Sequence, residues 1–400
     1  MRKKMKDSGI EWIGKIPEDW DIIKGKYIYD ITTGKLDANA EDIGGIYPFF
    51  TCSMEPKKIN SYAFDCEALL VAGNGIVGFT QYYKGKFNAY QRTYVLSNFS
   101  KIINPKYLKF YVSDLLEEAV TTESYGSVIS FIKLDNLKNF YVVFPSIAEQ
   151  TKIANFLDDK CSKIDKAIEL NKKAIEEEKE YKQSYIDNMI EGKNDKLIKL
   201  KFIADFNKGL SITKDDLKEE GLAVVSYGQI HSKENDRVSI KDNLIRFVDE
   251  DYLKYEHSKV TYGDFIFADT SEDYDGVGNA VYNNKKDMPI YAGYHTIIVR
   301  INNNFHNKKY LAYLFNSAKW RKQLRECVTG IKVFSISQKM LKDTFVRIPS
   351  SDEQDKIVNR LDKICNEIDQ MIEIRQKYIE QLEEYKKSLI YEAVTGKIEV

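Results

Sequence analysis

The segment EQTKIANFLDDKCSKID occupies residues 149–165, and EQDKIVNRLDKICNEID occupies residues 353–369, 204 positions later. The match runs without a gap from Pro145 and from Pro349 to a Gly-Lys pair at the end of each copy, and about half of the positions are identical. Each copy begins with Pro-Ser, in which the serine is a candidate N-cap, and has no further glycine or proline before its terminal glycine. The chain therefore contains one long helix twice.

Apolar residues recur in both copies at the a and d positions of a heptad. The predicted seam consists of Leu157, Cys161, Ile164, Ile168 and Ile175 in the first copy and of Leu361, Cys365, Ile368, Ile372 and Ile379 in the second. The two cysteines occupy matching seam positions, where they are typical small buried hydrophobes. A helix of about 45 residues extends roughly 68 Å, and its nearest candidate partner is the other copy. We predict a coiled coil of the two copies, whose direction the heptads leave open.

The repeat also continues upstream of the helices. GSVISFIKLDNLKNFYVVFPS from residue 126 aligns with GIKVFSISQKMLKDTFVRIPS from residue 330, and KGKYIYDITTGK from residue 24 resembles KLKFIADFNKGL from residue 199. Between these flanks the two units differ strongly. Both alternate β-prone runs with glycine turns, and each has one predicted helix, over about 105–118 or about 307–325, before a final strand.

The composition restricts the class of protein. Five scattered cysteines without a C-x-x-C pair indicate reduced thiols in a cytoplasmic protein rather than a disulfide framework or a zinc site. No apolar run is long enough to span a membrane, and no secretory signal opens the chain. The net charge of −1 does not favour a nucleic-acid partner. However, the repeated helices are acidic and the intervening units lean basic, which fits either DNA contact by those units or ordinary surface charge.

Catalytic motifs are missing from the sequence. The GNGIVG of residues 73–78 has the spacing of a dinucleotide loop, but the aromatic FTQYYKGKF that follows is a poor helix, so we predict turn glycines. The sequence contains no phosphate-binding loop, no H-E-x-x-H and no nucleophile elbow. The four histidines lack metal-ligand spacing. We therefore predict a non-catalytic chain that holds no metal.

Several of these segments together resemble one family, the specificity subunits of type I restriction-modification enzymes. The likeness lies in the opening DSGIEWIGKIPEDW, the two helix starts FPSIAEQTKIANFLD and IPSSDEQDKIVNRLD, the GDFIFA of the second unit, and the terminal EGK and VTGKI. These residues span most of the chain. The repeated helix starts are the most specific part of the resemblance.

The resemblance implies an α+β fold in which two β-rich target-recognition domains are separated by two long helices that form an antiparallel coiled coil, with an internal pseudo-two-fold repeat. We predict domain 1 at residues 1–145, the central helix at 146–193, domain 2 at 194–348 and the second helix at 349–400. Each domain would read one half of a bipartite, asymmetric duplex DNA site, with the coiled coil setting the spacing. Two unlike domains between two similar helices are what two different half-sites and one partner bound twice require.

The resemblance also assigns the chemistry to partner subunits. Two modification subunits would bind S-adenosylmethionine, and restriction subunits would hydrolyse ATP with Mg²⁺. The chain itself would carry no cofactor. It would recruit these subunits through its coiled coil.

Candidate DNA-contacting residues are Arg and Lys for phosphates, and Arg, Lys, Asn, Gln or His for base edges. In the first unit the candidates, which we predict to lie in loops, are Lys57, Lys58, Lys84, Lys86, Tyr90, Gln91 and Arg92. In the second unit they are Gln229, His231, Lys233, Asn235, Arg237 and Lys332.

Three other functions remain open from the residues alone. A DNA methyltransferase with fused recognition would need a cofactor loop and a catalytic Pro-Pro segment, and the sequence has neither. A coiled-coil adaptor would use its β units to bind protein and would not shift duplex DNA in a gel. A repeat protein that binds carbohydrate or phage surfaces fits less well with the cytoplasmic cysteine pattern.

Overall fold

The computed structural model of the chain describes residues 4–76, 78–123, 131–192, 196–328, 330 and 332–400. It divides into two compact units: unit 1 comprises Met1–Lys173 and Arg375–Val400, and unit 2 comprises Ala174–Ile374. Each unit therefore contains one β-rich region and part of each long helix. The domain boundary that we predict between residues 193 and 194 lies outside the described residues.

The first half of the chain contains the strands β1 (Met5–Asp7), β2 (Lys15–Pro17), β3 (Asp21–Lys24), β4 (Asp30–Thr33), β5 (Tyr47–Phe50), β6 (Lys57–Ile59), β7 (Phe64–Ala72), β8 (Thr80–Ala89), β9 (Thr93–Ser97) and β10 (Tyr141–Phe144). Its helices are α1 (Pro105–Glu123), α2 (Leu134–Asn139) and α3 (Ile147–Ile190).

The second half contains the strands β11 (Lys196–Lys199), β12 (Ala204–Lys208), β13 (Leu222–Val225), β14 (Arg246–Val248), β15 (Lys259–Val260), β16 (Phe265–Ala268), β17 (Thr270–Ser271), β18 (Ala280–Tyr282), β19 (Ile290–Ala292), β20 (Thr296–Ile301), β21 (Phe334–Ser335) and β22 (Phe345–Ile348). Its helices are α4 (Tyr227–Ile230), α5 (Lys308–Asn316), α6 (Ala318–Arg325), α7 (Gln338–Asp343) and α8 (Ser351–Val394).

Unit 1 is built on a six-stranded sheet in the order β4-β9-β7-β8-β5-β6, with two-stranded sheets β1-β2 and β3-β10 beside it. Unit 2 contains the four-stranded sheets β12-β20-β16-β18 and β14-β13-β19-β15, with two-stranded sheets β11-β22 and β17-β21. Strand β16 and residues 68–72 of β7 are wholly apolar, because both of their faces are buried. The predicted fold class, α+β with two β-rich regions and two long helices, is confirmed.

The two long helices begin where the Pro-Ser pairs predict. The Ser146 hydroxyl accepts a hydrogen bond from the Glu149 backbone N–H at 3.4 Å, and the Ser350 hydroxyl accepts one from that of Glu353 at 3.3 Å. Each serine thus satisfies one of the free N–H groups of the first helical turn.

The glutamine that follows each of these glutamates is buried. The Gln150 amide donates to the carbonyls of Ile102 at 2.8 Å and Pro145 at 2.9 Å, and its Oε1 accepts from the Asn104 N–H at 2.7 Å. Gln150 therefore ties the start of α3 to the start of α1. In a packed interior, side-chain amides that are fully hydrogen-bonded fix one geometry.

Unit 2 repeats this arrangement. The Gln354 amide donates to the Pro349 carbonyl at 3.0 Å, and its Oε1 accepts from the Asn307 N–H at 3.2 Å, at the start of α5. The identical Glu-Gln pairs in the two copies thus have a structural cause.

Within unit 1, α3 and α8 run antiparallel. Lys386 pairs with Asp165 at 2.6 Å, and the Arg375 guanidinium donates to the Asn171 amide oxygen at 3.1 Å, so residue numbers fall along α8 as they rise along α3.

Unit 2 has the same helix direction. Lys182 pairs with Asp369 at 2.7 Å, and Arg360 donates to the Tyr185 hydroxyl at 2.7 Å. Exchanging the two copies of the repeat turns this ion pair into the Lys386–Asp165 pair of unit 1, as an internal pseudo-two-fold repeat requires.

The prediction of a single helix over about 307–325 is wrong, because Ser317 divides this segment into α5 and α6. Ser317 has extended backbone dihedrals, and its hydroxyl accepts from the Trp320 N–H. The Asp187 carboxylate of α3 accepts from the Ala318 N–H at 2.7 Å. The new helix start is thus capped twice, which stabilises the break.

Asp114 on α1 is a half-buried carboxylic acid in unit 1. Burial and nearby Glu118 raise its pKa to about 7, against the opposing effect of Lys387. Because the folded-state pKa lies above the unfolded value, this group contributes stability at low pH that is lost as the pH rises through 7. We expect Asp114→Asn to raise the free energy of unfolding by about 1 kcal/mol at pH 8 and by little at pH 5.

Urea unfolding of both proteins at the two pH values measures this difference. An equal gain at pH 5 and pH 8 would show that the asparagine stabilises the fold for a reason other than titration.

Candidate nucleic-acid interface

One turn in unit 1 joins β8 to β9 and carries the predicted pair Gln91 and Arg92, both exposed. Backbone bonds fix the turn: the Gly73 N–H donates to the Arg92 carbonyl at 3.0 Å, and the Ile132 N–H donates to the Gly73 carbonyl at 2.8 Å. Arginine and glutamine are the side chains that bind guanine and adenine edges in pairs of hydrogen bonds.

Unit 2 contains the same backbone arrangement with other side chains. The Asp269 N–H donates to the His295 carbonyl at 3.0 Å, and the Ile336 N–H donates to the Asp269 carbonyl at 2.8 Å. His295 is therefore the counterpart of Arg92, and Asp269 that of Gly73.

Two glycines confirm this equivalence. A Cβ on Gly34 would lie 1.8 Å from the Ala89 carbonyl oxygen, and one on Gly209 would lie 2.0 Å from the Gly293 carbonyl oxygen. Both positions exclude a side chain because the end of a strand approaches the turn closely.

A cavity of about 400 Å³ opens beside the unit 1 turn. It is lined by Gly73, Gln91, Arg92, Tyr94, Phe131 and Ile132. The counterpart in unit 2 has a volume of about 580 Å³, and its lining includes Lys208, Tyr294, His295 and Lys339. The first cavity thus offers an arginine, a glutamine and two aromatic rings, and the second offers two lysines, a histidine, a carboxylate and one tyrosine ring. Equivalent backbones present unlike chemistry.

His295 combines two unusual features. Its φ is +53°, in the left-handed region that non-glycine residues seldom adopt, and its Nδ1 lies 3.3 Å from the Asp269 carboxylate. The Tyr227 ring packs edge-on against those of His295 and Tyr294. His295, Tyr294, Tyr94 and Phe131 are not among the residues predicted from the sequence, because no local motif marks them.

A second cavity in unit 2, of about 510 Å³, brings together four predicted residues: His231, Lys233, Asn235 and Arg237. Lys233 is exposed. The others also bond to the protein interior. His231 lies 2.8 Å from the Thr270 carbonyl, the Asn235 amide donates to the Ile230 carbonyl at 2.7 Å, and Arg237 donates to the Asn316 amide oxygen at 3.0 Å.

Two further candidates of unit 2 lie away from that cavity lining. Gln229 accepts a hydrogen bond from the Ser226 N–H at 3.1 Å and caps α4. Lys332 is exposed.

The remaining candidates of unit 1 lie mainly in strands rather than loops. Lys57 and Lys58 belong to β6, and Lys57 pairs with Glu41 at 2.6 Å. Lys84 and Lys86 belong to β8. Lys86 lies 4.6 Å from the centre of the Tyr62 ring, and Lys84 lies 4.0 Å from Glu67. Tyr90 is half-buried and bridges to Leu36.

Arg321 bonds to the segment that lines the second cavity of unit 2. It is 5% exposed and donates to the carbonyls of Asp275 and Val277 and to the Asn279 amide oxygen. Burial lowers its pKa to about 9, with Arg237 and Arg325 adding to the effect. A buried guanidinium persists only where such acceptors surround it.

Most of the predicted seam residues of the long helices are buried. Nine of the ten are buried, namely Leu157, Cys161, Ile164, Ile168 and Ile379 in unit 1 and Ile175, Leu361, Cys365 and Ile368 in unit 2. Ile372 is half-buried. Burial raises the pKa of both cysteine thiols, as expected of packed side chains rather than reactive ones.

Comparison with known families identifies the family of this chain. The family model of the type I restriction modification DNA specificity domain matches residues 17–180 and again residues 193–384. The chain belongs to this specificity family. As a member, it carries two DNA specificity domains and confers sequence specificity on DNA recognition.

Relatives in the specificity family match different shares of the chain. The specificity subunit of the type I restriction enzyme EcoDI from Escherichia coli is 43% identical, over 36% of this chain and 32% of that protein. The MjaVIII specificity subunit from Methanocaldococcus jannaschii is 26% identical, over 96% of this chain and 94% of that protein. The higher identity is thus confined to one region.

Solved structures share the fold of the specificity family. A chain from a structural study of type I R-M system assembly and conformational transition superposes with a TM-score of 0.73 at 13% identity, over 96% of this chain and 99% of that one. The HsdS subunit from Thermoanaerobacter tengcongensis gives a TM-score of 0.52 at 13% identity, over 96% and 98%.

The described part of this specificity chain contains neither a candidate metal site nor a candidate membrane-spanning helix. No group of three or more His, Cys, Asp or Glu side chains there is arranged to hold a metal ion. No described helix has the length and apolar character needed to cross a lipid bilayer.

Proposed function

We propose that each unit reads one half of a bipartite, asymmetric duplex DNA site and that the antiparallel helices set the spacing between the halves. The observation that carries this proposal is the pair of equivalent turns. Arg92 and His295 occupy the same backbone position but differ in side-chain chemistry, as two readers of different sequences must.

The partners follow from the same proposal. Two modification subunits supply S-adenosylmethionine chemistry, restriction subunits supply ATP- and Mg²⁺-dependent cleavage, and this cytoplasmic chain contributes recognition without catalysis. The two copies of the helix repeat support it, because they present similar surfaces for a partner that binds twice.

The residues predicted to contact DNA differ in how well the structure suits them to that role. Arg92, Gln91 and Lys233 are exposed beside cavities, so their polar ends are available to bases or phosphates. Arg237 bonds to Asn316, so its replacement changes folding as well as binding. Replacement of Arg92 or Lys233 therefore tests the proposal more directly than replacement of Arg237.

Filter binding of the full chain to its duplex site, as a function of salt, tests this proposal. We expect Arg92→Ala to weaken binding at least tenfold, equivalent to about 1–3 kcal/mol for a base-reading arginine. A lysine that contacts phosphate, as we infer for Lys233, should instead lower the salt slope by about 1 when changed to alanine.

Lys163→Ala, on the exposed face of α3, is the matched control and should bind like the wild type. Unchanged affinity and salt slope for both Arg92→Ala and Lys233→Ala would remove these residues from the interface. Arg237→Ala should lower both affinity and melting temperature.

A further inference from the structure

A small hairpin surface recurs in both units. Strand β3 pairs with β10 so that Lys24 lies opposite Tyr141, and β11 pairs with β22 so that Lys199 lies opposite Phe345. A 3-10 turn follows the first strand of each pair, at Gly25–Tyr27 and at Leu200–Phe202.

Each copy exposes large apolar side chains. In unit 1, Tyr27 is 64% exposed, Tyr141 39% and Ile22 36%. In unit 2, Phe202 and Leu197 are both 64% exposed and Phe345 46%. We call these two sets, with Lys24 and Lys26 or with Lys199 and Lys201, the hairpin patches. Exposed apolar clusters rimmed by charge mark interaction surfaces.

The lysines of each patch lie over its rings. Lys24 Nζ lies 5.0 Å from the centre of Tyr141, and Lys26 Nζ 4.9 Å from that of Tyr27. In unit 2 the distances are 5.6 Å from Lys199 to Phe345 and 5.3 Å from Lys201 to Phe202. Two lysines thus lie over two aromatic rings in each patch, with tyrosines in unit 1 and phenylalanines in unit 2. The ring faces carry cations of this chain, which makes them poor platforms for stacking bases.

This likeness contrasts with the turns that we propose to read DNA. There, equivalent backbones carry Arg92 in one unit and His295 in the other. Unlike surfaces suit two half-sites, whereas a surface kept alike in both units suits one partner bound twice. A DNA backbone would not bind Ile22 or Leu197, since it offers no apolar surface to cover them.

From this contrast we infer that each hairpin patch, together with the repeated helices, docks one copy of the same protein, a modification subunit, through an apolar surface of that subunit rimmed with carboxylates. The inference rests on the proposed function for the identity of the partner. The charge of the patches defines the chemistry of that surface, because each patch presents two lysines around its apolar centre and carboxylates would complement them. A cavity of about 450 Å³ beside Leu197, Phe345 and Trp320 offers unit 2 an anchor site.

One difference between the patches has a measurable consequence. Asp343 lies 2.9 Å from Lys199 and 4.0 Å from Lys201, so it partly neutralises the patch of unit 2. Asn139 holds this place in the repeat of unit 1. Docking at the unit 1 patch should therefore weaken more with added salt.

The test uses the full chain and the modification subunit encoded with it. Analytical ultracentrifugation counts the bound copies for the wild type, for Tyr27→Ser with Tyr141→Ser, for Phe202→Ser with Phe345→Ser, and for the fourfold variant. We expect two copies, then one, one and none, with at least a tenfold weaker Kd at each altered patch. Tyr255→Ser, at a ring 39% exposed outside the patches, is the control and should bind two copies.

The melting temperature and the DNA affinity of each variant distinguish a lost docking surface from misfolding and from a lost DNA contact. We expect both to match the wild type, since the altered rings are exposed. Two copies bound by the fourfold variant with unchanged Kd would overturn the inference, and so would a loss of DNA affinity with assembly intact. Neither of these two results bears on which DNA half-sites the chain recognises. That recognition is measured separately and tests the proposed function itself.

Discussion

Gln150→Leu is expected to lower the free energy of unfolding by about 3 kcal/mol, because three buried hydrogen bonds are lost at once. The leucine fills a similar volume but leaves the carbonyls of Ile102 and Pro145 and the N–H of Asn104 without their partner. Chemical denaturation followed by circular dichroism measures the loss.

Gln376→Leu, at an exposed position of α8, is the matched control and should change stability by less than about 0.5 kcal/mol. Gln354→Leu should reproduce the loss in unit 2. If Gln150→Leu were as stable as the control, the glutamine would not join α3 to α1 in the way its contacts indicate.

Arg321→Met is the second change with a large expected effect, about 3 kcal/mol of lost stability. The methionine leaves the Val277 carbonyl and the Asn279 amide oxygen without a donor, and the Asp275 carbonyl keeps only the bond from Arg325. These residues belong to the segment that lines the cavity with Lys233. DNA affinity should therefore fall about tenfold at a temperature where the variant is still folded, since a loop held out of place costs binding free energy.

Lys322→Met changes the neighbouring, exposed lysine and serves as the control. It should retain both stability and affinity. An Arg321→Met protein that is destabilised but binds DNA normally would separate this cavity from recognition.

The long helices could be predicted from the sequence because their signals are local. The heptad, the Pro-Ser starts and the absence of interior glycine and proline all act within a few turns. The antiparallel direction could not be predicted from the heptads, since it is fixed by pairs such as Lys182–Asp369 that are far apart in the chain. The resemblance supplied that direction, and the structure confirms it.

The interface was harder to predict for a physical reason. The equivalence of His295 and Arg92 rests on the backbone hydrogen bonds that they accept from Asp269 and Gly73, respectively, and no local sequence pattern reveals these bonds. Composition also favoured Gln229, His231 and Asn235, whose side chains form bonds inside unit 2. A polar side chain in a predicted loop can bond to the nearby backbone and stabilise the loop instead of a ligand, as these do.

In the proposed function, two unlike units read two separate DNA sequences. Selection of bound duplexes from a random library, with the full chain assembled with the modification subunits that we propose as its partners, tests it most directly. We expect two specified blocks separated by a fixed number of unspecified base pairs, and we expect Arg92→Ala to relax positions in one block only. A single uninterrupted block, or equal relaxation of both blocks by Arg92→Ala, would contradict the account.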